Sequence, residues 1–132
     1  MISSAASNAL SGLQASAKRL ENSANNVANI SSSGAVNDDP NTRQAYRPTD
    51  VVQISNETGG VRTEIRDRTP ATTPVYAPED SAADAQGFVQ APNVNEAQEL
   101  IGQKFATYDF KANAKTLEAY NETVETVLNI IT

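Results

Sequence analysis

One feature constrains this chain more than any other: a repeating apolar seam near the N-terminus. Ala6, Leu10, Leu13, Ala17, Leu20, Ala24 and Val27 follow one another at spacings of 4, 3, 4, 3, 4 and 3 residues. That is the a/d rhythm of a helix that packs lengthwise on another helix. Phe110, Leu117, Tyr120, Val124, Val127 and Ile131 repeat the rhythm at the far end, with Asn113 in its one polar slot. The two seams predict a mainly α fold in which long N- and C-terminal helices pair as a coiled-coil-like α-hairpin. The C-terminal helix is also longer than a globule of 132 residues can cover, so a rigid subunit of an assembly is expected rather than an enzyme.

Between the helices the period changes. Val51-Val52-Gln53-Ile54 and Val61-Arg62-Thr63-Glu64-Ile65-Arg66 alternate as short strands do, and Asn56-Glu57-Thr58-Gly59-Gly60 supplies the glycines of a hairpin loop. The stretch from Thr69 to Pro78 holds three prolines and reads as extended and irregular. Asp84-Ala85-Gln86-Gly87 reads as a turn that presents Phe88 and Val89. The expected organisation is therefore an N-terminal helix and its closing motif over 1–34, a loop and small β-containing insert over 35–92, and a C-terminal helix over 93–132. The first helix is placed at 3–30, with Ser3, Ser4 or Ser7 as N-cap, and Asn37-Asp38-Asp39-Pro40-Asn41 is turn chemistry. Asn93 with Glu96 has the spacing of a capping box at the start of the last helix.

The first helix is internally conflicted. Its eleven Ser and Asn residues cost together about 5 to 6 kcal/mol against alanine. Burying Leu10, Leu13, Leu20, Val27 and Ile30 returns about 8 to 15 kcal/mol, but only against a partner surface. Alone the helix is marginal and docked it is stable.

Composition removes several function classes. Net charge is −6 with no basic cluster, so nucleic acid and anionic membrane surfaces are unsuited as partners. There is no cysteine and no histidine, which removes thiol chemistry, the usual general base near neutral pH and the commonest zinc ligand. No apolar run is long enough to insert in a bilayer, and no basic start precedes a dense apolar block as in a cleaved secretory signal. Glu118, Glu122 and Glu125 share a helical face, which reads as a solvated or lumen-facing face rather than a catalytic or metal site. No cofactor, metal or small-molecule substrate is expected.

Ser23-Ala24-Asn25-Asn26-Val27-Ala28-Asn29-Ile30 is the densest local motif. Two readings stand beside each other. The asparagines can belong to a frayed helix end, where their side chains bond nearby backbone. Alternatively Asn25, Asn26 and Asn29 form a ladder facing other subunits, with Asn113 as its counterpart, since a buried Asn fixes register at some cost in stability.

These stretches resemble a known family. Ala9-Leu10-Ser11-Gly12-Leu13-Gln14-Ala15 through Asn25-Asn26-Val27-Ala28-Asn29 is similar to the opening of the flagellar rod, hook and hook-associated axial proteins. Phe110-Lys111-Ala112-Asn113-Ala114-Lys115-Thr116-Leu117 is similar to their aromatic-x-Ala-Asn element. Val75-Tyr76-Ala77-Pro78 and Ala83-Asp84-Ala85-Gln86-Gly87-Phe88-Val89 through Val94 resemble the proximal-rod members. The resemblance covers both ends and residues 75–94. It implies a structural subunit of the bacterial flagellar basal-body rod, stacked helically across the periplasm to transmit torque. It also implies export through the flagellar type III apparatus without a cleaved signal, with other rod subunits and basal-body ring components as partners. The interface would then comprise Leu10, Leu13, Leu20, Asn25, Asn26, Val27, Asn29, Phe110, Asn113, Leu117, Tyr120, Val124 and Val127. A soluble coiled-coil adaptor or export-chaperone-like module fits the seams equally well, but not the Asn-rich motif or the Gly87–Val94 element.

Overall fold

The computed structural model describes residues 2–37 and 39–131. Asp38 of the expected turn, and Met1 and Thr132 at the ends of the expected helical segments, lie outside them. Helix α1 spans Ile2–Ala28 and helix α2 spans Glu96–Ile131. Four short strands lie between: β1 (Thr49–Ser55), β2 (Val61–Asp67), β3 (Thr72–Tyr76) and β4 (Phe88–Pro92). The fold is mainly α with a small β insert.

The two helices run antiparallel. Ser23 Oγ donates to the Glu99 carbonyl at 3.1 Å, Arg19 meets Asp109 at 2.8 Å, and Gly12 lies against Asn113. A Cβ on Gly12 would come within 2.6 Å of Asn113 Oδ1, so the missing side chain is what admits Asn113 to the seam. With that alignment Ile2 is level with about residue 123, and the last turns of α2 extend past it.

The hairpin β1–β2 is the one expected from the alternation, two residues longer at the front, in register from Thr49↔Asp67 to Ser55↔Val61. It lies along α1. Its base is fastened at Asn22 and Asn26, and its tip at Ser11, whose Oγ accepts from Val61 N at 3.1 Å. Gly59 and Gly60 adopt φ of 95° and 80° at the tip, a left-handed conformation that suits glycine.

A second sheet occupies the stretch expected to be irregular. β3 pairs antiparallel with β4 from Thr72↔Pro92 to Tyr76↔Phe88, and Tyr76 and Phe88 meet edge to face at 5.5 Å. Prolines mask it in the sequence, yet a two-stranded ribbon is all edge, and an edge tolerates a residue without an N–H donor. The segment after α1 joins its far side: Gly34 and Gln90 exchange backbone bonds at 3.0 and 2.9 Å.

Helix ends differ from expectation for local reasons. α1 already includes Ser3, Ser4 and Ser7, so none of them precedes the helix as its cap. The cap of α2 is Asn95, whose Oδ1 accepts from Gln98 N at 3.1 Å. Asn93 instead turns its amide to the Pro70 carbonyl at 3.0 Å. Both asparagines have an acid or amide three residues on, and the tertiary bond decides between them.

The core is thin and made of small groups. The buried apolar residues are Ala9, Ala15, Ala45, Ala71, Val89 and Ala106, and the largest side chains fully enclosed are Asn26 and Pro48.

Candidate subunit interface

Two surfaces follow from this packing, one inside the subunit and one outside it. The inner seam of α1 is small and polar: Ala9, Ser16, Ser23 and Asn26 are buried, with Gly12 between them against α2. The expected apolar seam lies to one side of it. Leu10 and Leu20 are 51% and 40% exposed, and Leu13 and Val27 are half-buried. On α2, Asn113, Leu117, Tyr120 and Val124 are half-buried, whereas Phe110 and Val127 are exposed.

The expected asparagine ladder divides. Asn26 is completely buried and bonds within its own subunit, which corrects its placement facing other subunits. Its Nδ2 donates to the Thr49 carbonyl at 2.9 Å and to Glu99 Oε1 at 3.2 Å. Its Oδ1 accepts from the Tyr46 hydroxyl at 3.0 Å and from Thr49 N at 3.3 Å. One amide therefore ties α1 to the loop before β1, to β1 itself and to α2. Asn25 and Asn29 are exposed, and Asn29 Nδ2 donates back to the Asn25 carbonyl at 2.8 Å, the local bonding of a helix end.

Residues that the sequence did not single out complete this hub. Glu99 is 8% exposed, and an unpaired carboxylate there would cost several kcal/mol. It sits in the first turn of α2, where the helix dipole favours an anion. Arg68, the residue after β2, donates Nη2 to Glu99 Oε1 at 2.8 Å and to Asp50 Oδ1 at 2.6 Å, and Nη1 to the Asn93 carbonyl at 3.0 Å. The bond to Asp50 does most to raise the guanidinium's pKa, against the opposing effect of burial. Burial, followed by the Glu99 carboxylate, pushes the Tyr46 phenol up. Asn22 adds a bond from Nδ2 to the Thr49 carbonyl at 2.6 Å. The one sequence signal for this hub was the pair Asn22 and Asn26, one helical turn apart.

A smaller cluster holds the β3–β4 loop to the segment after α1. Ser33 and Arg43 both donate to the Asp80 carboxylate, and Asp80 Oδ1 also accepts from Ala82 N at 2.9 Å. The Ser33 bond is the largest of the effects that hold the Asp80 carboxyl below its ordinary range.

The outer surface is apolar to a degree that a free monomer does not need. Ile101, Phe105 and Tyr108 are 57%, 59% and 64% exposed, at helical spacings of four and three along α2. Leu10, Leu20 and Leu100 add to the open faces. The chain exposes 8,864 Å², against about 6,700 Å² for a compact monomer of 14.0 kDa. The excess of about 2,200 Å² is the size of a substantial protein–protein interface. Glu118, Glu122 and Glu125 are exposed, and among the described residues no group of acidic side chains could hold a metal ion. No described helix is long and apolar enough to cross a membrane.

No family model matches the chain. Curated relatives do. The flagellar basal-body rod protein FlgC of Yersinia enterocolitica is 34% identical over 128 residues, which is 92% of this chain and 90% of the relative. The proteins of that name from Salmonella typhimurium and Escherichia coli are 34% and 33% identical, each over 81% of both chains.

Proposed function

The chain belongs to the FlgC family of flagellar basal-body rod proteins, and on that premise we propose that it is a structural subunit of the proximal rod whose outward apolar faces are filled by neighbours. Its work is mechanical rather than catalytic. Torque passes through a subunit only if its parts do not slide on one another. Directional hydrogen bonds from Asn26, Glu99 and Arg68 resist a register shift between α1, α2 and the hairpin in a way that apolar contacts alone do not.

The observation that carries the reading is the inversion of burial: small and polar residues line the inner seam, while Leu10, Leu20, Ile101, Phe105 and Tyr108 face outward. Such a distribution suits a part that completes its core in an assembly. The interface comprises Leu10, Leu13, Leu20, Val27, Phe110, Leu117, Tyr120, Val124 and Val127, with Asn25 and Asn29 at its polar margin. Other rod subunits and basal-body ring components are the partners. A thin alanine core also suits a chain that is exported through the flagellar type III apparatus in an unfolded state.

The test is quantitative mass spectrometry of purified basal bodies together with electron microscopy of a deletion strain. Several copies of the chain per basal body, and no rods in the deletion, are expected. Intact rods in the deletion and no chain in basal bodies would overturn the reading. Leu10→Asp, at a half-exposed position, is expected to leave the helix content of the purified chain unchanged and to abolish incorporation.

A further inference from the structure

A groove of about 410 Å³ runs between α1 and α2 on a side that neither sheet covers. Ala17, Leu20 and Ala24 form one wall, Ala106 and Phe110 the other. The three alanines leave room for a further helix to approach closely. Lys111 stands at its rim, and Lys104, two turns before it on the same face, lines the continuation of the groove beside Leu100. Among the described residues neither lysine has an acidic partner within 4 Å.

The complementary shape is on the same chain. In the last turns of α2, Val127, Ile130 and Ile131 are 44%, 78% and 76% exposed. Residues 116–131 carry Glu118, Glu122 and Glu125 and no Lys or Arg, and none of the three glutamates is in an ion pair among the described residues. α1, by contrast, carries Lys18 and Arg19 against a single Glu21. The last turn of α2 also has no basic side chain to meet its carbonyl groups, the end of a helix that favours cations.

We propose that the groove holds the α2 tail of a second copy of this chain. Val127, Ile130 and Ile131 of one copy seat against Leu20 and Phe110 of the next, above the alanine floor. The glutamates lie on the tail's opposite face and stay in solvent, about one helix width from Lys104 and Lys111. A helix is about 10 to 12 Å across and the Debye length at physiological salt is about 8 Å, so this attraction is screened and adds only a weak bias to the apolar seating. Groove and tail are different patches, so a copy that fills one groove still offers its own. The contact is heterologous and continues head to tail, as a helical stack requires. The excess exposed area of about 2,200 Å² is sufficient for one such contact at each end of a subunit. This inference rests on the rod reading above and names the surfaces by which copies join.

The chain has no cysteine, so disulfide trapping has a clean background. Leu20→Cys and Val127→Cys chains are to be purified, oxidised singly and in mixture, and also co-expressed in cells from which basal bodies are isolated. Covalent dimers only in the mixture, and a ladder of multimers from the double variant, are expected in both settings. Ala24→Cys with Ile130→Cys serves as a second pair. Dimers of Leu20→Cys with itself would mean that two grooves face each other, and would overturn the proposal. So would chains present in basal bodies that neither pair links, since another protein then covers the groove. If the wild-type chain is absent from basal bodies the rod reading fails, while the purified mixtures still decide the groove-to-tail contact. Absence of linkage in the purified mixtures at concentrations where the wild-type chain associates overturns it as well.

Discussion

Replacing Asn26 by alanine tests whether the polar hub holds the subunit in register. The side chain is wholly enclosed and makes four hydrogen bonds. Two of its partners have a second bond to fall back on: the Thr49 carbonyl keeps Asn22 Nδ2 at 2.6 Å, and Glu99 Oε1 keeps Arg68 Nη2 at 2.8 Å. The other two, Thr49 N and the Tyr46 hydroxyl, lose the acceptor that Asn26 Oδ1 provides. Both of these bonds are only part-buried, so each orphaned donor costs about 1 kcal/mol, the low end for a buried group, and the weakened bond to a charged carboxylate about 1 kcal/mol more. The expected loss is therefore about 3 kcal/mol. A domain of this length has about 7 to 20 kcal/mol in all, and the alanine core places this one toward the lower end. Urea unfolding followed by circular dichroism at 222 nm measures the loss as a shift in midpoint at unchanged slope. Asn29→Ala is the control: its side chain is exposed and bonds only back to the Asn25 carbonyl in the last turn of α1, so it is expected to cost under about 0.5 kcal/mol. If Asn26→Ala lies within about 1 kcal/mol of wild type, the hub does not hold the elements together and the argument for it is wrong.

Three further outcomes follow from the same geometry. Gly34→Ala is expected to destabilise by several kcal/mol, because its Cβ would fall 2.1 Å from Ala45 N, backbone that cannot swing aside; about 3 kcal/mol or more in the urea midpoint checks it. Gly12→Ala is expected to be near neutral, since about 1 kcal/mol of helix propensity is offset by expelling Asn113 from the seam. In the Asn113→Ala background it is expected to stabilise by about that amount, which a double-mutant cycle reads. The depressed pKa of Asp80 means that the Ser33–Asp80–Arg43 cluster contributes stability above the unfolded carboxyl value of about 3.9 and loses it as pH falls through the lower folded value. Wild type is therefore expected to lose its advantage over Asp80→Asn as pH falls below about 3.9, in unfolding curves taken along a falling pH series.

The helices and the first hairpin were legible because each is a local pattern: spacings of three and four for Leu10 to Val27, alternation for Val61 to Arg66, and glycines at a loop tip. The β3–β4 ribbon was not, because Pro74 and Pro92 argue against strands unless the sheet is known to be two strands wide. The seam was legible as a seam but not for direction. Periodicity placed Leu10 and Leu20 on one side of α1, and nothing local distinguishes a side that faces α2 from one that faces a neighbour. The inner stripe of Ala9, Gly12, Ser16, Ser23 and Asn26 has the same spacing, one residue out of phase, and its small polar members hid it. Arg68 and Glu99 are 31 residues apart in sequence, so only the fold brings the two charges together. That separation is why nothing in the sequence marks Glu99, which is buried in the molecule.

The alanine core also sets how the subunit responds to temperature. The heat capacity of unfolding scales with apolar surface uncovered, at about 1.6 to 2.0 kcal/mol/K for an average chain of this length. Here the enclosed apolar groups are five alanine methyls, one valine and the rings of Pro48 and Pro92, so the value for the single chain is expected to fall below that range, with a shallow stability curve. In the proposed assembly the larger side chains, Leu20, Phe105, Tyr108 and Ile130 among them, exposed in the single chain, would leave water when subunits meet. Most of the hydrophobic heat-capacity change is thereby moved from folding to polymerisation, whose driving force weakens on cooling. Cold is then expected to loosen contacts between subunits before it unfolds the subunit itself, which sedimentation of the assembled chain on cooling would check.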